Sequence, residues 1–338
     1  MRAGKRRGKP IHGWLAIYKD PGEGSTRVVE KVKRITQAAK AGHGGTLDPF
    51  SEGLLPVALG EGTKTSGLVL DGDKRYRGWV RFGRETDSGD LTGEVIREGD
   101  LPADESVIRA ALPLFTGRID QVPPLHSAIR VNGERAYHLA RRGEVVEMAP
   151  RVVTVHDFTL VSYADGLAEV DVRCSKGTYM RALARDLGRH LGSAAHLERL
   201  VRTETLGFQL SEAVRLSELA TKVAAGRLDD VLFPVDRVLA GIPALRLRAQ
   251  AWRKVENGQS IWVEAEGLAG GPVRLMTPEG QFCAYGVLGD KVDLLGRRSV
   301  KPRRLFPTER GSDLQSHPNH SRSPSDVDHP GEEASGDS

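Results

Sequence analysis

The segment Gly42-His43-Gly44-Gly45-Thr46-Leu47-Asp48-Pro49-Phe50-Ser51-Glu52-Gly53-Leu54-Leu55-Pro56 constrains this chain more than any other stretch. Gly42, Gly44, Gly45 and Gly53 lie close around a single acid, Asp48. Glycine admits dihedrals that a side chain forbids and lets another molecule approach the backbone. Pro49 biases Asp48 away from helical geometry. The result is a lone carboxylate on a shaped loop, anchored between two apolar elements, with His43 nearby. Asp-Pro and Gly-Gly alone would read as connector chemistry. A scaffold holding both ends is how sites are usually mounted, and a carboxylate held this way can serve as a nucleophile or a base.

At 338 residues the chain has room for two domains, or one large domain with an appendage. No apolar run of about 18 residues occurs, so no transmembrane helix is expected. Met1 to Pro10 is basic but no apolar stretch follows it, which argues against a signal peptide. Cys174 and Cys283 are far apart and lack metal-type spacing, so a reduced, cytoplasmic setting without structural zinc is expected. The net charge of +4 is unevenly spread. Residues 308–338 carry seven acids against two arginines, a net −5, which leaves +9 on the rest. A basic body suggests a polyanionic partner, most often nucleic acid.

Met1 to Pro10 reads as a flexible basic arm. Trp14 to Tyr18 predicts a strand. Ser25 is placed to cap a helix over 26–40, with Val28, Val29, Val32 and Ile35 on its buried face, and Gly42 is expected to stop it. Apolar character returns at Leu54 to Leu59, and Gly60 to Thr65 predicts a turn or helix start. Tyr76 to Phe82 alternates like a strand, and Thr86 to Gly93 is turn chemistry. Glu105 to Leu114 predicts a helix. Strands follow around Val152 to Leu160 and over Ala168 to Cys174. Thr178 is placed to cap a helix reaching Leu191, and a second helix is expected over Ala195 to Arg202. Many antiparallel-type strands with interspersed helices make the fold class α+β. Short strand-like runs at Ser260 to Val263, Val273 to Met276 and Phe282 to Val287 predict a small β-rich domain after Gly241. From Pro307 onward almost nothing is apolar, and disorder is expected.

Other segments carry chemistry. Lys74-Arg75-Tyr76-Arg77 sets an aromatic inside a basic run, a combination that stacks unpaired bases while cations hold phosphates. Arg181 would fall in the first turn of the helix that Thr178 is placed to cap, where a cation opposes the helix dipole. An anion, either Asp48 or a phosphate, would offset that cost. Arg185 and Arg189 continue the same face at like-charge spacing, which a polyanion would relieve. Gly60-Glu61-Gly62-Thr63-Lys64-Thr65 fails as a phosphate loop, because Thr63 stands where glycine is needed. His43, His126, His138 and His190 show no metal-type spacing.

Taken together, GHGGTLDPFSEGLLP, DKRYRGWVRFG, TDSGDLTGEV, QVPPLHSAIRVNGERAYHLARRG and CSKGTYMRALARDLG resemble the bacterial tRNA pseudouridine-55 synthases. The resemblance runs from about Ile11 to Arg202 and continues less distinctly into a C-terminal region similar to the family's PUA-type RNA-binding domain. It implies a pseudouridine-synthase-type fold: a mixed, largely antiparallel sheet with flanking helices over 11–240, and a PUA-like domain over 241–307. Residues 1–10 and 308–338 remain an arm and an acidic tail.

The implied activity is isomerisation of one uridine in the T loop of tRNA, with no cofactor, metal or guide RNA, by a cytoplasmic monomer. Asp48 would be the catalytic aspartate, either attacking covalently or removing a sugar proton. The target base must be flipped out. By resemblance, Tyr76 stacks on it, Arg181 pairs with Asp48, and Tyr179 positions the base or assists proton transfer at C5. His43 would pack where the base was. Lys19 and Leu200 would line the same pocket, Lys74 and Arg75 would bind substrate, and 121–150 would grip the RNA stem-loop. Two departures stand out. Gly44 occupies a position where the family commonly has threonine, which would loosen the loop. Lys19-Asp20-Pro21 inserts an acid into a Lys-Pro pair. The competing readings are a tRNA-binding folding helper without turnover and an RNA-guided relative within a multi-protein particle.

Overall fold

The computed structural model describes residues 8–125, 130–131, 134–135, 142, 148–265 and 267–308. Most of the arm, His126, His138, most of the 121–150 insertion and the tail from Glu309 lie outside the described residues.

The described residues build a nine-stranded sheet, a five-stranded sheet and two small hairpins. The first part runs β1 (Gly13–Lys19), α1 (Ser25–Thr36), β2 (Ala41–His43), β3 (Glu52–Leu59), a 3-10 turn (Gly60–Thr65), α2 (Ser66–Asp71) and β4 (Lys74–Phe82). The hairpin β5 (Arg84–Thr86) and β6 (Val95–Glu98) comes next, then α3 (Glu105–Ala111), β7 (Gly117–Gln121), and the short pair β8 (Arg130–Val131) and β9 (Glu134–Arg135). The long strands β10 (Arg151–Ala164) and β11 (Leu167–Cys174) lead to α4 (Met180–His190), β12 (Ala195–Thr205), β13 (Phe208–Gln209) and α5 (Leu216–Ala224). The second sheet uses β14 (Ala244–Arg246), β15 (Ile261–Val263), β16 (Gly271–Met276), β17 (Phe282–Val292) and β18 (Arg298–Leu305), with α6 (Ala249–Glu256) beside it.

The large sheet is ordered β1-β3-β12-β4-β11-β10-β7, with β2 on β3 and β13 on β12. All its pairs are antiparallel except β12 with β3. Strands β1 and β3 are buried on both faces, which explains why they read as continuous apolar runs. Leu15, Ile17, Leu55 and Val57 pack under α1 and α5, while Trp14, Ala16, Leu54 and Ala58 join Val69, Phe208 and Leu239 on the other side. A third cluster joins β4, β11, β10 and β12 to α3 and α4 through Val80, Ile108, Val170, Leu183 and Leu197. The β-rich sheet has its own core, including Val255, Leu275 and Val300.

Four local expectations are corrected. Residues 195–205 form β12, a central strand and not a helix. The register between β12 and β4 shifts between Leu197 and Arg199. That bulge changes the strand's parity, so Leu197 and Leu200 enter one core cluster at a helix-like spacing of three. Helix α1 ends at Thr36, with Gln37 left-handed at φ 58° as its cap, and Gly42 lies in β2. Ser25 makes no cap bond, since Gly24 holds the N-cap position. Thr178 does not cap α4 either. Its hydroxyl donates to the Ser175 carbonyl at 3.0 Å, and Tyr179 is the N-cap residue.

Candidate active site

The Asp48 loop joins β2 to β3, which are themselves paired antiparallel from Ala41–Leu59 to His43–Val57. The loop is fixed from beneath by three buried groups. Ser25 Oγ donates to the Leu47 carbonyl and accepts the Leu47 N–H, each at 2.9 Å. Lys19 Nζ donates to the carbonyls of Asp20, Pro49 and Ser51 at 3.2, 3.1 and 2.5 Å. Arg202 donates from Nε to the Leu54 carbonyl at 2.8 Å and from Nη2 to the Gly45 carbonyl at 3.1 Å. Backbone groups that the irregular loop cannot pair with itself thus find side-chain partners.

Asp48 faces a cavity of about 640 Å³, within the usual range of small-molecule sites. Arg181 Nη2 lies 2.8 Å from Asp48 Oδ2. The guanidinium is 6% exposed and the carboxylate 40%, so the cation backs an acid that projects into the cavity. Arg181 Nη1 also donates to the Ser88 carbonyl at 2.8 Å and lies 3.5 Å from Asp90 Oδ2. The cost of a cation at an α4 N-terminus is met within the protein, by Asp48 and by Asp90. Likewise Arg185 pairs with Asp186 at 2.8 Å and Arg189 with buried Glu85. The like-charge spacing therefore needs no polyanion to relieve it.

Tyr76, Tyr179, Leu200 and Lys74 line the same cavity. Tyr76 is hydrogen-bonded to Arg202, and burial pushes its phenol up from the ordinary value. Burial pushes the Arg202 guanidinium down. Lys74 reaches the wall, but its amine donates to the carbonyls of Val69, Leu70 and Gly72 at 3.1, 2.6 and 2.5 Å. Burial holds both Lys74 and Lys19 at about 8.

Three candidates stand outside the cavity wall. Arg75 points to the opposite face of β4 from Tyr76, as strand alternation requires. There it bonds Asp171 at 2.7 Å, and Arg77 beside it bonds Glu169 at 2.7 Å. The basic run is therefore split by the pleat, with its arginines matched to acids. Lys19 is fully buried beneath the loop rather than lining the pocket. His43 lies in β2, where its Nδ1 accepts the Gly45 N–H at 3.4 Å, and burial lowers its pKa with help from the Arg202 charge.

Both departures have structural answers. A side chain at Gly44 would put Cβ 2.7 Å from Val69 Cγ1 and 3.3 Å from Trp14, so the space is filled and the loop is not loosened. Asp20 turns away to Arg215, which also stacks over the Tyr18 ring, leaving the Lys19 amine on the loop. Lys64, in the Gly60–Thr65 segment that fails as a phosphate loop, donates to the Leu305 carbonyl at the end of β18 at 2.8 Å.

Sequence reasoning missed Asp90 and Arg202. Asp90 accepts from Ser88 Oγ at 2.9 Å and Thr92 Oγ1 at 2.6 Å, so hydroxyls spaced around an acid in the TDSGDLTG turn were the available signal. Arg202 was hidden by reading its strand as a helix. Among the described residues, no group of three or more His, Cys, Asp or Glu is set to hold a metal, and no helix is long and apolar enough to cross a membrane.

Residues 33–180 match the model of the TruB family pseudouridylate synthase (N terminal domain), and residues 181–240 that of the tRNA pseudouridylate synthase B C-terminal domain. The chain is 43% identical to a tRNA pseudouridine synthase B of Chromohalobacter salexigens over 307 residues, 90% of this chain and 98% of that protein. It is 40% identical to the protein of the same name from Rhizobium meliloti, over 91% of this chain and 99% of that one. It is similar to a solved Cbf5-Nop10-Gar1 complex, with TM-score 0.68 and 25% identity over 87% of this chain and 85% of that one. With both consecutive family models matched and relatives aligned over nearly their whole length, this chain belongs to the TruB family of pseudouridylate synthases.

Proposed function

We infer that this enzyme isomerises uridine 55 in the T loop of tRNA to pseudouridine, acting alone and without a guide RNA. The two relatives above, named tRNA pseudouridine synthase B, are 43 and 40% identical, against 25% for the Cbf5-Nop10-Gar1 complex. The C1′–N1 bond breaks, the uracil turns, and C1′ joins C5. C5 gives up its proton and N1 gains one, so no atom or electron is added or lost.

Asp48 is the catalytic carboxylate, acting at C1′ as a nucleophile or on a sugar proton as a base. The observation that carries this reading is the Asp48–Arg181 pair at the cavity, with the acid outward and the cation behind. Arg181 holds the carboxylate in one orientation, which a reaction at a single carbon requires. The flipped base stacks on Tyr76, packs against Leu200, and meets Tyr179 near C5. Lys19, Ser25 and Arg202 hold the loop that carries Asp48. His43, on β2, fills the space the base leaves. Residues 121–150 grip the stem-loop, and the β-rich domain over 241–307 extends RNA binding as a PUA-type module. The enzyme works as a cytoplasmic monomer.

The test is pseudouridine mapping of an unmodified tRNA transcript incubated with purified protein alone. A single new pseudouridine in the T loop, lost with Asp48→Asn while tRNA binding persists, is expected. Tight binding with no modification by the wild type would leave a tRNA-folding helper instead.

A further inference from the structure

We propose that Gln121 is a positioning residue for Tyr179. This rests on the reading of Tyr179 as an active-site group for the isomerisation.

Gln121 ends β7, the outermost strand of the large sheet, and is 2% exposed. A carboxamide at that depth needs partners for both its ends. It finds both on one residue. The Tyr179 N–H donates to Gln121 Oε1 at 2.7 Å, and Gln121 Nε2 donates to the Tyr179 carbonyl at 3.1 Å. Tyr179 precedes the first turn of α4 in extended conformation, with φ −100° and ψ 110°. Its N–H lies outside the helical ladder, so it takes an acceptor from elsewhere. Gripping the N–H and the carbonyl together fixes both dihedrals, and with them the direction in which the ring leaves the backbone.

A second bond supports the same junction. Arg185 Nη2 donates to the Val122 carbonyl at 2.9 Å, one helical turn beyond Arg181. The end of an edge strand is thereby tied to the start of the helix that carries Arg181. Tyr179 lines the cavity, whereas Gln121 does not. Gln121 therefore acts through Tyr179, without touching the reacting atoms.

The experiment measures single-turnover pseudouridine formation, tRNA affinity by filter binding, and thermal melting. It compares Gln121→Met, which loses both bonds, with Gln121→Glu, which keeps an acceptor and loses the donor. Each is made with Tyr179 and with Tyr179→Phe. Gln121→Met is expected to slow the chemical step about 10- to 100-fold through misplacement, with Gln121→Glu between it and the wild type. Affinity should stay within about threefold, because Gln121 is buried at the base of the 121–150 segment and does not itself meet the RNA. With Tyr179→Phe, the same change should add less than about threefold, since the group it positions is already gone.

A wild-type rate in both variants would overturn the proposal. So would an equal loss in both backgrounds, which would make Gln121 a structural support only. Should Gln121→Met melt early, Gln121→Glu is judged by the same criteria, and early melting of both would also overturn it. Absence of pseudouridine with the wild type would instead defeat the underlying functional reading.

Discussion

Ser25 grips the Leu47 peptide from both sides, giving a hydrogen bond to its carbonyl and taking one from its N–H, each at 2.9 Å. Leu47 immediately precedes Asp48, and both Ser25 and Leu47 are 3% exposed. A residue placed at a helix start thus serves as the anchor of the loop. Ser25→Ala leaves two buried backbone groups unpaired, at about 1–3 kcal/mol of desolvation. The variant should unfold at lower urea concentration and turn over more slowly, with tRNA binding kept. Unchanged stability together with unchanged turnover would show that the loop does not depend on this bond.

Gly44 and Val69 form a complementary pair. The φ of Gly44 is not among the positive ones, so the constraint is space rather than backbone strain. A Cβ would lie 2.7 and 2.9 Å from two Val69 carbons. Gly44→Thr should cost about 1–3 kcal/mol by overpacking. Adding Val69→Ala should restore part of it, with a coupling of about 0.5–3 kcal/mol between neighbouring sites. Strict additivity in thermal melts would separate the two residues.

Much of the fold was legible because β1, β3, β4 and β11 announce themselves by apolar runs or clean alternation. The Asp48 loop was legible because glycines crowd one acid. What escaped was non-local or cooperative. A single bulge near Glu198 gave β12 a helical spacing. Helix α6 turns Trp252 and Val255 to the small core, but it is only eight residues long and sits among glycine turns and strand-like runs that carry the stronger local signal. Asp90 and Arg202 meet the site only after hairpin and sheet have folded. Arg75 reads as a neighbour of Tyr76 because adjacency in sequence hides the pleat that sends it to Asp171 on the other face.

Lys19 and Lys74 give the stability an unusual pH dependence. Burial lowers both to about 8, while an unfolded lysine titrates near about 10.4. Between those values the unfolded chain binds more protons, so the contribution of each lysine to stability rises with pH across that window. Below about 8 the full cost of burying the charge is present. The stability of wild type relative to Lys74→Met should therefore improve between about pH 7.5 and about pH 9.5 in urea titrations. A constant difference would mean that the folded amine titrates like an exposed one.

Arg181 presents a fork to several acceptors, and this shape matters as much as its charge. Nη2 meets Asp48 at 2.8 Å, while Nη1 meets the Ser88 carbonyl at 2.8 Å and Asp90 at 3.5 Å. A lysine has one compact ammonium and cannot occupy both nitrogen positions. Arg181→Lys would keep the charge and leave either Asp48 or the Ser88–Asp90 side without its partner. Because the cation is buried behind an outward acid, losing the Asp48 contact frees that carboxylate to move. Misplacement on this scale costs about 100-fold in rate. Arg181→Lys should therefore lower the single-turnover rate by about that factor, with tRNA affinity within a few fold. Wild-type kinetics from this variant would show that the charge alone suffices and that the fork has no role in holding Asp48.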